Sequence, residues 1–126
     1  MVDSKAKITG FEQLTVWQEA QLLAVEVYKA SKGFPSDEKF GMTNQLRRAV
    51  ASISANIAEG FGRASVNEKI QYYRISYGSL LETKNFVYLA HKLGYLQNET
   101  HNNLINRCLD NQKLLNATIK SLNQNV

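Results

Sequence analysis

Only one residue among 126, Pro35, forbids a helix outright. Nowhere does the chain alternate polar and apolar residues as a half-buried strand does, whereas apolar residues recur three and four positions apart along most of it. The pattern predicts an all-α fold, and its glycines and caps divide it into four helices with short connections. An antiparallel up-and-down four-helix bundle is the architecture such helices form most readily.

The first helix runs from about Thr15 to Lys32, with Trp17, Ala20, Ala24, Val27 and Tyr28 at helical spacing. Gly33 and Phe34-Pro35 end it. Ser36 caps the second helix, and Asp37 and Glu38 suit the positive end of its dipole. This helix extends to about Glu59, with a distortion near Gly41, and carries Met42, Leu46, Ala49, Val50, Ile53 and Ile57 on one face before Gly60 and Gly62. Ser65 and Glu68 have the spacing of a capping box and open the third helix, which reaches about Leu93 and stops at Gly94. The fourth begins at Gln97 or Asn98 and carries Leu104, Ile105, Cys108, Leu109, Leu115, Ile119 and Leu122 at near-heptad spacing. Residues 1–10 read as a flexible N-terminal tail and residues 11–126 as one domain.

With 44% apolar and 21% charged residues, the chain is too apolar for a disordered one. The single Cys108 excludes an internal disulfide and, with no secretory signal at the N-terminus, predicts a cytoplasmic protein. No apolar run approaches the ~18 residues of a membrane span. A net charge of +4 permits phosphate-rich partners without demanding them.

Two helices carry more apolar surface than a lone bundle hides. On the third, Val66, Ile70, Tyr73, Tyr77, Leu81 and Tyr88 form one stripe, and Ile75, Ser79, Phe86, Leu89 and Leu93 a second, roughly opposite. The second helix backs its large stripe with a row of small residues, Ala51, Ser52, Ala55 and Ala58, which admits a neighbouring backbone. Together these predict self-assembly. Glu82 falls within the second stripe, with Arg47 or Arg48 as its expected partner; the alternative is a place at the stripe's edge, from which it reaches water.

Catalytic and metal-binding patterns are missing. No Glu-x-x-His spacing of a di-metal bundle occurs, and His91 and His101 lie on different helices without a ligand cluster. Cys108 sits among Leu104, Ile105 and Leu109, as a small buried hydrophobe would. No phosphate loop, nucleotide fingerprint or nucleophile elbow is present. Neither a cofactor nor a metal is expected, and neither is enzyme activity. The turn Gly60-Phe61-Gly62-Arg63 has some features of an anion site, though two glycines also suit a helix end. Arg47, Arg48, Arg63, Lys69 and Arg74 gather in the middle third of the chain without forming one clean stripe, and Glu59, Glu68 or Glu82 is expected to absorb part of that charge; copies of such a patch around one axis sum into a field suited to a polyanion. The asparagines of the fourth helix carry no assignment.

Phe11, Leu14, Val16, Trp17 and Ala20, then Phe34-Pro35, Gln45-Leu46-Arg47-Arg48-Ala49 and Ser52-Ile53-Ser54-Ala55-Asn56-Ile57-Ala58-Glu59-Gly60 closely resemble the bacterial 23S rRNA intervening-sequence proteins, also labelled S23 ribosomal protein. The likeness continues through Arg63, Gly78-Ser79-Leu80, Glu82 and Leu93-Gly94-Tyr95. Ser54 stands where proline is common in that family, and Met42 where leucine is. The resemblance implies a small up-and-down bundle assembled into a homopentameric ring, related to the accessory variability protein of diversity-generating retroelements, which works with nucleic acid. The ribosomal label reflects gene location.

The expectation is therefore a non-enzymatic homo-oligomer that binds RNA or DNA through backbone phosphates, with Arg47, Arg48, Arg63, Lys69 and Arg74 as contacts. Asn56, Glu59, Ser79 and Glu82 are expected to hold helices and subunits in place. The rival expectation is a protein-interaction scaffold that never meets nucleic acid.

Overall fold

The structure, a computed structural model, describes residues 7–124. Four helices account for most of them: α1 (Thr15–Ser31), α2 (Met42–Phe61), α3 (Val66–Lys92) and α4 (Asn98–Gln124). Each helix packs on its neighbours in sequence and α1 closes against α4, while the diagonal pairs do not meet. This is the square cross-section of an up-and-down bundle. The tightest pairing is α2 with α3. Among the described residues no strand occurs.

Helix starts and stops follow local chemistry. A short 3-10 turn, Phe11–Gln13, leads into α1, and Gln13 Oε1 accepts from the backbone N–H of Thr9 (2.6 Å) and Gly10 (3.1 Å). Residues 7–10 of the expected tail include this bonded pair; residues 1–6 lie outside the described residues. Ser36 does not cap α2 as its spacing suggests. Ser36–Glu38 forms a separate 3-10 turn, and the start of α2 is met instead by Glu38, whose Oε1 accepts from Met42 N–H at 3.4 Å. Ser65 caps α3 as its spacing predicts, accepting from Glu68 N–H at 3.1 Å. Gly94 opens the α3–α4 turn at φ 81°, in the left-handed region open to glycine.

The core is a continuous apolar cluster drawn from all four helices, including Leu23, Val27, Leu46, Ile53, Ile57, Leu80, Val87 and Leu115. Each fully buried aliphatic side chain of this kind contributes about 1.5–3 kcal/mol. The stripe read on α2 is the stripe that is buried: Met42, Leu46, Ala49, Val50, Ile53 and Ile57 all face inward.

On α3 the reading of two opposed stripes is corrected. The buried face takes Ile70 and Tyr73 from the first stripe and then runs between the two, along Ser76, Leu80, Thr83, Val87 and Ala90. Ser76 and Thr83 enter the core because each hydroxyl donates to a carbonyl, Ser76 to Ile53 O (2.7 Å) and Thr83 to Ser79 O (2.9 Å). Members of both predicted stripes are left exposed: Leu81 and Tyr88 on one side, Ile75, Leu89 and Leu93 on the other. Surplus apolar surface on α3 is present, but it flanks the core seam instead of opposing it.

Candidate functional site

The five predicted phosphate contacts do not form one cluster. Arg47 turns toward α1, where its Nε donates to Ser31 Oγ (2.8 Å), an Nη donates to Tyr28 O (3.3 Å), and the guanidinium covers the Tyr28 ring at 4.9 Å. Lys69 is half-buried, with Nζ donating to Phe61 O at 2.6 Å. These two are packing residues as much as surface charges. Arg63, at the α2–α3 turn, donates to the Tyr72 hydroxyl (2.7 Å) and lies over that ring at 4.6 Å. Sixteen positions separate Arg47 from Arg63, roughly 24 Å of helical rise. Arg48 and Arg74 are exposed.

The carboxylates expected to absorb this charge do not do so. Among the described residues the ion pairs are those of Arg107 on α4, with Glu26 (2.7 Å) and Glu19 (3.6 Å) on α1. Glu82 pairs with neither Arg47 nor Arg48, which corrects the expected partnership. It is exposed at the rim of a shallow groove shared with Gln45, Arg48, Ser52 and Ser79. An exposed carboxylate keeps its hydration and has no need of a partner. Glu59 is likewise exposed and outside any ion pair among the described residues.

A chain of neutral hydrogen bonds runs from the groove along α2. Asn56 Nδ2 donates to Ser52 O (2.8 Å) and Ser52 Oγ (2.9 Å), and Ser52 Oγ meets Ser79 Oγ across the α2–α3 seam at 2.9 Å. Asn56 and Ser79 are thus linked through Ser52, one of the row of small residues on α2. Spacing gives no sign of this link, because Ser52 and Ser79 are far apart in the chain.

Of the two readings of the Gly60-Phe61-Gly62-Arg63 turn, the helix end holds, with Gly62 as the C-cap of α2. The amides of the turn are spent within the chain: Gly62 N–H bonds Glu59 O and Arg63 N–H bonds Gly60 O, both at 3.2 Å. Gly60 has a different role. A Cβ there would sit 2.9 Å from Tyr72 Cβ and from Tyr73 Cε1, so only glycine lets α3 approach this closely. Gly78 is the opposite case, a mid-helix glycine with nothing within 4 Å of a Cβ position.

Chemistry elsewhere is muted. Burial pushes the Cys108 thiol up to about 12, so it stays protonated and unreactive. His91 and His101 stack at 4.0 Å between ring centroids, and His91 Nε2 lies 2.6 Å from Asn98 Oδ1. Burial, reinforced by His91, holds His101 below the usual imidazole range, against a backbone hydrogen bond to Val87. Its Nδ1 is buried without a partner. Among the described residues no three His, Cys, Asp or Glu side chains converge as metal ligands, and no helix is long and apolar enough to cross a membrane.

The sequence pattern of 23S rRNA-intervening sequence proteins matches residues 12–117. The chain belongs to this family. A solved structure from Bacteroides thetaiotaomicron, a protein of unknown function from the S23 ribosomal protein family, is similar to this intervening-sequence protein. The two share 25% identity and a TM-score of 0.77, over 83% of this chain and 95% of the other. No curated protein matches.

Proposed function

We propose that the chain is a non-enzymatic, self-associating module that binds RNA or DNA through backbone phosphates. One observation carries this reading: among the described residues the ion pairs involve Arg107 alone, so Arg48, Arg63 and Arg74 reach the surface without a carboxylate partner. Such cations are available to displace counterions from a phosphate backbone. Arg63 over the Tyr72 ring adds a flat cationic platform suited to a nucleic acid strand. Lys69 and Arg47, held by packing, fall outside this contact set.

Self-association is supported by the exposed flank of α3. Ile75, Leu89 and Leu93 are each 41–50% exposed, and Gly78 lies on the same side of the helix, where a second backbone can approach. A ring of five copies, as the family resemblance implies, would sum the separate cations around one axis. The protein is expected in the cytoplasm, where such partners are found.

A titration of the full chain against mixed-sequence RNA and DNA at several salt concentrations tests the reading. Affinity should fall steeply with salt. Replacing Arg48, Arg63 and Arg74 together by glutamine should flatten the slope by about 2–3 units. Binding that is absent or indifferent to salt overturns it. Light scattering at tens of micromolar tests the assembly, and a monomer mass refutes it. The rival reading, docking to another protein, is favoured by Phe40, which is 87% exposed at the loop before α2. Phe40→Ser should leave nucleic acid binding intact if the proposed function holds.

A further inference from the structure

Where α1 begins and α4 ends, the bundle leaves an open cavity of about 520 Å³. That volume falls in the range of small-molecule sites. The wall is chiefly hydrocarbon, with Leu14 and Val16 on one side and Leu114 and Leu122 on the other. Among the described residues, one charged residue lines it, Lys69, and no carboxylate does.

Two polar groups on this wall are incompletely used. Lys69 Nζ spends one donor on Phe61 O (2.6 Å) and is steadied by the Phe61 ring at 5.3 Å, which leaves two N–H donors. Tyr73 is only 3% exposed, and its ring is fixed against Gly60. Its hydroxyl has no hydrogen-bond partner among the described residues, and the residue lines the cavity. Burial raises the Tyr73 phenol, so it remains a donor at neutral pH.

A cation is repelled by Lys69, and a hydrocarbon leaves both donors without an acceptor. A nucleic acid backbone finds no use for the aliphatic wall. We infer that this cavity binds a small amphiphile, an aliphatic monocarboxylate whose head is held by Lys69 Nζ and the Tyr73 hydroxyl and whose tail lies along Leu14, Val16, Leu114 and Leu122. The site is independent of the proposed nucleic acid contacts, since Arg48, Arg63 and Arg74 do not line it.

The test titrates the full chain with three probes of one tail length, decanoate, decanol and decyltrimethylammonium, followed by calorimetry and by amide chemical shifts. Decanoate should bind most tightly, with shifts centred on Val16, Tyr73 and Leu114, and decyltrimethylammonium should not bind. Lys69→Met should weaken decanoate about tenfold or more while leaving decanol unchanged, because one charge-assisted bond is lost. Ala117→Trp, at an exposed position on the wall, should block both decanoate and decanol while leaving helical circular dichroism intact. Equal binding of the anionic and cationic probes, an unaltered decanoate affinity in Lys69→Met, or shifts centred elsewhere overturns the inference. Loss of nucleic acid binding in the arginine variants has no bearing on this result, so the two proposals fail separately.

Discussion

The α1–α4 seam and the α2–α3 seam join helices of the same bundle with opposite chemistry. The first is ionic: Arg107 reaches Glu19 and Glu26 across it. The second is closed mainly by neutral groups, the Ser52 and Ser79 hydroxyls and the Ser76 hydroxyl on Ile53 O, with Lys69 Nζ on Phe61 O at one end. An ionic seam uses up the charge it contains. A hydroxyl seam leaves Arg48 and Arg74 outside any ion pair among the described residues, and it lets the helices approach more closely because serine and glycine are small.

The largest test of this contrast is steric. Gly60→Leu forces a side chain into Tyr72 and Tyr73 and should cost about 1–3 kcal/mol of stability in urea unfolding. Acid comes next, since it charges a buried ring. The lowered pKa of folded His101 means that the unfolded chain takes up the proton first. Stability should therefore start to fall as pH drops below about 6.5 and go on falling until the lowered folded value is passed. His101→Gln should flatten the thermal melting curves between pH 7 and pH 5.

Ser52→Ala should cost about 1 kcal/mol, equally at low and high salt, because it removes neutral hydrogen bonds. Arg107→Ala should cost no more than about 1 kcal/mol, since both partners are about a third exposed, and the loss should shrink in 1 M salt, where the Debye length is roughly 3 Å. Glu82→Ala should change monomer stability by less than about 0.5 kcal/mol. A salt-sensitive Ser52→Ala, or a costly Glu82→Ala, would erase the distinction between the seams.

Much of the fold was legible because it is locally encoded. Ser65 with Glu68, Gly94, and the apolar row from Met42 to Ile57 act within one or two turns, and helix positions followed from them. The start of α2 was not, because its cap comes from Glu38, which is held in turn by the Tyr95 hydroxyl at 3.0 Å from the far α3–α4 turn. The buried face of α3 was missed because Ser76 and Thr83 look polar until their carbonyl acceptors are known. The site residues were legible as types but not as a constellation. Whether Arg47 or Arg48 faces partners depends on where Ser31 and Tyr28 lie, and the Arg107 clamp joins residues 81 positions apart.

Glu19 and Glu26 stand two helical turns apart on α1, and one guanidinium spans both. If α4 slid by a single turn, roughly 5.4 Å, Arg107 would lose at least one of them. Leucine rows tolerate such a slip, since they repeat every turn or two. The clamp does not, so it works as an axial key that admits one sliding position of α4 and excludes its near-equivalents.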